Sequence, residues 1–98
     1  MTTDPRLDDL VFTARDDLVV ETIDGECLVL DLDRNVYFGL NPVGLSIWES
    51  IASGATLSSV LSDLQVRFPD VPAERLDADL RAFLGQLVGA HLVHTAPA

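Results

Sequence analysis

His91 and His94 stand three residues apart near the C-terminal end of the chain. No Cys, Asp or Glu follows them to complete a metal site, so the pair predicts no metal. Cys27 is the only cysteine. It lies within an apolar run, where a free cysteine behaves as a small buried hydrophobe. An activated thiolate would need a cation or a helix N-terminus beside it. Asp77 and Asp79 are two apart, so they do not share a helix face as i, i+4 neighbours would. They read as solvated charges, or as a contact for a basic partner. Asp8-Asp9 and Asp16-Asp17 read as solubilising charge, and no Gly-rich phosphate loop is present. These residues imply no catalytic set and no cofactor. The chemistry left to this chain is binding.

Composition narrows what is bound. The 98 residues allow one domain, read as spanning 1–98 with an ordered core over about 10–93. The apolar fraction of 48% excludes an acidic disordered tail. Sixteen acids stand against six bases, all of them Arg, for a net charge of −10. Such a chain is a poor partner for a phosphate backbone or an anionic membrane. No apolar run is long enough to span a bilayer, and the acidic N-terminus is no signal peptide. The expectation is a cytoplasmic protein that binds neither nucleic acid nor membrane. The charge is uneven. Residues 1–33 hold ten acids and two arginines, whereas residues 34–98 hold six acids and four arginines.

The first third reads as strands. Leu18 to Ile23 and Cys27 to Leu32 flank Asp24-Gly25, the dipeptide that a type I′ hairpin turn prefers. A third strand, Val36 to Leu40, follows the turn Asp33-Arg34-Asn35. In the second strand Leu28, Leu30 and Leu32 alternate with Val29 and Asp31, so the leucines predict the apolar face. Leu10 to Thr13 reads as a further short strand or an ordered arm. The remainder reads as three helices. Asn41-Pro42 starts the first, with Val43, Ile47, Trp48 and Ile51 inward, and Gly54 stops it. Thr56 caps the second, whose stripe is Leu57, Val60, Leu61, Leu64 and Phe68 before Pro69. The third begins near Pro72 and turns Leu76, Leu80, Phe83, Leu84, Leu87 and Val88 to one face. Met1 to Asp9 and Thr95 to Ala98 are expected to fray. The fold class is therefore α+β: a three-stranded antiparallel sheet followed by three helices, arranged like a winged helix-turn-helix.

A DNA-reading third helix would carry bases on its outer face. Residues 73–90 carry Arg75 and Arg81 against Glu74, Asp77 and Asp79, which disfavours a winged-helix regulator. The third strand, Val36-Tyr37-Phe38-Gly39-Leu40, is uncharged and β-prone. At a sheet edge it would be unprotected against pairing. A guest peptide can add there as a further strand. The alternative is that Tyr37 and Phe38 are ordinary core and surface aromatics. A second copy could also pair with that edge, so monomer and edge-strand dimer both remain open.

The residues Asp24-Gly25-Glu26, Leu30-Asp31, Tyr37-Phe38-Gly39-Leu40-Asn41, Gly44, Ile47-Trp48-Glu49 and Thr56 resemble the PqqD family, the peptide chaperones of ribosomally made, modified peptides. Asp79, Phe83, Leu84, Leu87 and Leu92 fit the later spacing, and the likeness covers about residues 18–93. The run "YFGLNPVGLSIWE" looks most like the stand-alone leader-binding proteins of lasso-peptide pathways. Two positions depart: many members have Gly where this chain has Asn35, and Gly where it has His91.

The resemblance implies a non-catalytic protein that binds the leader of a precursor peptide. The leader would lie antiparallel to the third strand, against the third helix. Strand contacts would come from Val36, Tyr37, Phe38, Gly39 and Leu40. Helix contacts would come from Leu76, Asp77, Leu80, Arg81, Phe83, Leu84 and Leu87, some of which must be core instead. The implied partners are a leader peptidase and an ATP-dependent cyclase. A related chaperone serving a radical enzyme is the alternative within the family. Replacing Phe38 or Leu80 by Asp is expected to abolish binding while the fold survives.

Overall fold

A computed structural model describes residues 7–98. A 3-10 turn at Leu7–Asp9 leads into β1 (Leu10–Ala14). Then come β2 (Val19–Ile23), β3 (Glu26–Asp31) and β4 (Val36–Leu40), followed by α1 (Pro42–Ser50). The short β5 (Ala55–Thr56) precedes α2 (Leu57–Arg67) and α3 (Ala73–Gly89), and β6 (Val93–Pro97) closes the chain. The α+β class, the antiparallel three-stranded sheet and the three helices are as expected.

Local signals explain most element ends. Asp24 and Gly25 adopt φ of 54° and 82°, the two positive values that a type I′ turn requires. Asn35 takes φ 56° ahead of β4. Asn41 caps α1, accepting from the Gly44 amide at 2.7 Å, and Thr56 caps α2 through the Ser59 amide. No side chain caps the start of α3.

Three expectations need correction. The first concerns the chain's ends. A second sheet forms in the order β5-β1-β6, with Phe12 opposite Thr95 and Leu10 opposite Pro97. Residues 95–97 are therefore paired rather than frayed, and Leu7 to Asp9 are ordered. Residues 1–6 lie outside the described residues. The segment His94-Thr95-Ala96-Pro97 has no apolar alternation to announce a strand. Its proline is tolerated because β6 is an edge strand.

The second correction concerns β3. Val29 and Asp31 are the buried residues, whereas Leu28 and Leu30 are half-buried and Leu32 is exposed. Val29 stands opposite Phe38 and Cys27 opposite Leu40, so those four share the core-facing side. The face with fewer leucines won because it carries the partners of α3, and one residue of register decides it. Asp31 can be buried because Arg15 donates to its Oδ2 at 3.1 Å. The third is Val88, which is exposed although the helical stripe placed it inward.

The core gathers Phe12 from β1, Val29 and Leu40 from the sheet β2-β3-β4, and Ile47, Trp48 and Ile51 from α1. Leu57, Val60 and Leu64 of α2 complete it with the leucines of α3. Each such side chain contributes roughly 1.5–3 kcal/mol by leaving water. Among the described residues, no helix is long and apolar enough to cross a membrane.

Candidate functional site

β4 is an edge of the sheet β2-β3-β4. Among the described residues its backbone is hydrogen-bonded to β3 on one side only, and its side chains alternate across the sheet. Val36, Phe38 and Leu40 face the helical layer, whereas Tyr37 and Gly39 face away. Leu40 is buried in the core and Phe38 is half-buried. The Phe38 ring meets Phe83 of α3 edge to face, with centroids 5.6 Å apart. This contact ties the strand edge to the helix.

Beside it lies an open cleft of about 590 Å³. Its apolar floor includes Val43, Ile47 and Val71, and one wall is the face of α3 bearing Asp79, Ala82, Phe83 and Gln86. Gly44 matters here. A Cβ at that position would stand 3.2 Å from the Asn41 cap oxygen and 3.4 Å from the Phe83 ring. Glycine thus lets the start of α1 approach α3 and the cap form together. The cleft mixes an apolar floor with polar side chains on its walls and rim, and among the described residues no three His, Cys, Asp or Glu gather as metal ligands. Such a surface can hold a peptide side chain.

The structure divides the residues expected to form the site. Phe38 and Phe83 are brought together, with Val36 at the open end of the same strand face. Leu80, Leu84 and Leu87 are fully buried, and Leu76 is 1% exposed at the cleft floor. These four hold the helix in place rather than offering contact area. An Asp at Leu80 would therefore cost the fold, contrary to the expectation from sequence. Asp77 and Arg81 pair with each other at 3.0 Å, and Arg81 reaches Asp8 at 2.9 Å. They occupy another flank of α3, and the two carboxylates hold the Arg81 guanidinium above its ordinary pKa, Asp77 most strongly. Asp79 pairs loosely with Arg75 instead.

Sequence reading missed Asp79, Ala82 and Gln86 as cleft residues, together with Val43 and Val71. Residues 75, 79, 82, 83 and 86 do form one helical stripe. It is mixed in polarity, so no apolar periodicity marks it.

The sequence profile of the family described as Coenzyme PQQ synthesis protein D (PqqD) matches residues 26–93. The chain belongs to the PqqD family. The match spans β3 to the start of β6, which includes every residue lining the cleft. Among solved structures, "TbiB1 in Complex with the TbiA(beta) Leader Peptide" is similar, with TM-score 0.70 and 29% identity. The alignment covers 84% of this chain and 94% of that one. A comparison with curated proteins finds no match. The PqqD resemblance drawn from "YFGLN", Gly44 and Ile47-Trp48 is thereby shown, and with it the α+β fold.

Proposed function

We propose that this PqqD-family chain is a non-catalytic leader-peptide recognition protein. A precursor leader adds antiparallel to β4 and packs its alternate side chains against α3. The observation that carries this reading is the uncharged edge strand joined to a half-apolar cleft through Phe38 and Phe83. Strand addition suits that arrangement, because the edge supplies backbone hydrogen bonds and the cleft supplies side-chain selectivity. The similarity to TbiB1, whose structure contains a leader peptide, supports the same reading. Contacts come from Val36, Phe38 and Phe83, with Asp79, Ala82 and Gln86 lining the wall. Tyr37 and Gly39 contribute backbone only.

The pathway proposed is lasso-peptide biosynthesis, in which the bound leader is delivered to a leader peptidase and an ATP-dependent cyclase. The family description names coenzyme PQQ synthesis, which supports a second reading, presentation of a redox-cofactor precursor to a radical enzyme. The two share one site and differ in the enzyme recruited. The test is fluorescence anisotropy with a labelled synthetic leader from the precursor gene beside this one. Low-micromolar or tighter affinity, lost in Phe38→Asp of unchanged circular dichroism, supports the groove. Equal affinity in that variant removes it. Pull-down of the neighbouring peptidase or radical enzyme with the loaded protein then separates the pathways. Sedimentation velocity with and without leader tests whether copies pair through β4; a dimer that leader dissociates would place self-pairing on the same edge.

A further inference from the structure

α3 ends in a Schellman arrangement. The His91 amide donates to the Val88 carbonyl and the Leu92 amide to the Leu87 carbonyl, with His91 at φ 59°. The last turn of the helix carries no basic residue of its own. Two arginines from distant elements supply cations there, where the helix dipole favours them. Arg34 Nη1 donates to the Ala90 carbonyl at 2.9 Å, and Arg15 Nη1 to the His91 carbonyl at 2.9 Å.

Both arginines converge on Asp31, which is 2% exposed. Its Oδ2 accepts from Arg15 Nη1 at 3.1 Å and lies 3.8 Å from Arg34 Nη1. Its Oδ1 accepts from the Arg34 amide at 3.3 Å. Asp31 ends β3, and Arg34 stands two residues before β4. A buried carboxylate of the sheet is thus joined through guanidinium groups to the C-terminal end of α3. Charge-assisted bonds of this kind are the stronger and more directional ones.

The geometry matters because the guest of the proposed reading lies between β4 and α3. At the Leu40 end, Phe83 packs close to Gly44 and Leu40 holds the strand in the core. At the other end, Val36 and, in the last turns of α3, Gln86 and Gly89 are all exposed. We infer that Arg34 is a positioning residue for the guest: clamped by Asp31, it fixes the separation of β4 and α3 at the Val36 end of the groove. The inference rests on the leader-binding reading of that groove. An added strand needs both walls at a fixed spacing, since every second guest side chain must fit between them. An antiparallel guest brings the C-terminal part of its paired segment to this end.

The side chain of Arg34 is 43% exposed, so its removal opens no core cavity. The test uses Arg34→Met, which keeps the aliphatic stem and removes the donors. Anisotropy with the labelled synthetic leader is expected to show about tenfold weaker binding. The melting temperature should stay within about 5 °C of the parent. A second readout needs no guest. Nitroxides at Asp33→Cys and Gly89→Cys, in a Cys27→Ser background, report the gap by pulsed electron–electron resonance. Arg34→Met should broaden that distance distribution. An unchanged distribution, or parent-like affinity in Arg34→Met, overturns the inference. If the parent protein fails to bind the leader, the leader-binding reading falls, while the distance measurement still decides the clamp.

Discussion

Along α3, Leu76, Leu80, Leu84 and Leu87 turn to the core and are at most 1% exposed, while Asp79, Ala82, Phe83 and Gln86 line an open cleft. The two stripes lie one residue apart in sequence at Phe83-Leu84. The leucine stripe is uniform in chemistry because its task is to exclude water. The cleft stripe mixes an aromatic, a methyl, an amide and a carboxylate, because a surface that must stay soluble when empty cannot be uniformly apolar. On the proposed reading, stability and recognition fall to different sides of one helix. The division teaches that substitutions on this helix should sort cleanly into two kinds of outcome.

The sharpest way to break that comparison is at Leu80. Leu80→Asp should leave no cooperative unfolding transition, because it places a charge where nothing can pair with it. Leu80→Ala should lower the unfolding free energy by about 3 kcal/mol, read from urea denaturation. Its leader affinity should remain near that of the parent wherever the protein is folded. A folded Leu80→Asp that merely fails to bind would move Leu80 to the groove and dissolve the distinction.

Phe83→Ala tests the other face. Its ring is half-buried and meets Phe38 edge to face. Affinity for the leader should fall by about 2 kcal/mol, the range of an aromatic anchor in an interface. Stability should fall by about 1–2 kcal/mol, the aromatic pair and the ring's partial burial together. Anisotropy and urea denaturation on one preparation give both numbers. A larger loss in stability than in affinity would place Phe83 with the leucines.

His91→Gly sharpens the comparison at the point where both stripes end. His91 occupies the left-handed C′ position, which costs a residue with a Cβ about 1 kcal/mol relative to glycine. The substitution should raise stability by about that amount and leave affinity unchanged, by denaturation and anisotropy together. The Arg15 bond goes to the backbone carbonyl of His91, so it survives the change.

His91 also shows what was legible in the sequence. Its departure from a glycine position was visible there, but only the hydrogen bonds of the Schellman motif reveal that the helix continues to Gly89 and turns at His91 itself. The hairpin turn at Asp24-Gly25 and the Asn41 and Thr56 caps were legible because their signals are local. The edge position of Val36 to Leu40 stood only as a condition in the sequence, and the strand order β2-β3-β4 supplies it. The buried side of β3 was not legible, since leucine count favours one face and only the pairing with Phe38 selects the other. Nor could the two stripes of α3 be separated. Both are written at helical spacing, and which one meets the core depends on where α1 and β4 sit. The clamp at Asp31 joins residues up to 76 apart, and no local pattern encodes it.

The smallest effect lies outside both stripes and bounds the comparison. Asp17 accepts two bonds from Arg15, at 2.6 and 3.0 Å, at the solvent side of the clamp. The hydrogen bonds from Arg15 hold its carboxyl below the ordinary value of 3.8. A carboxyl whose pKa is lowered in the folded state stabilises fully above its unfolded value. That contribution is lost as pH falls through the lower, folded value. Asp17→Asn should therefore differ slightly from the parent at pH 7 and at pH 5, and the difference should shrink below about pH 4. Because the pair is exposed, the shift in urea midpoint should be small at every pH. Leader affinity should not change, since Arg15 keeps its bonds to Asp31 and His91. An affinity loss in Asp17→Asn would mean that the solvent side of the clamp, and not only Asp31, sets the groove.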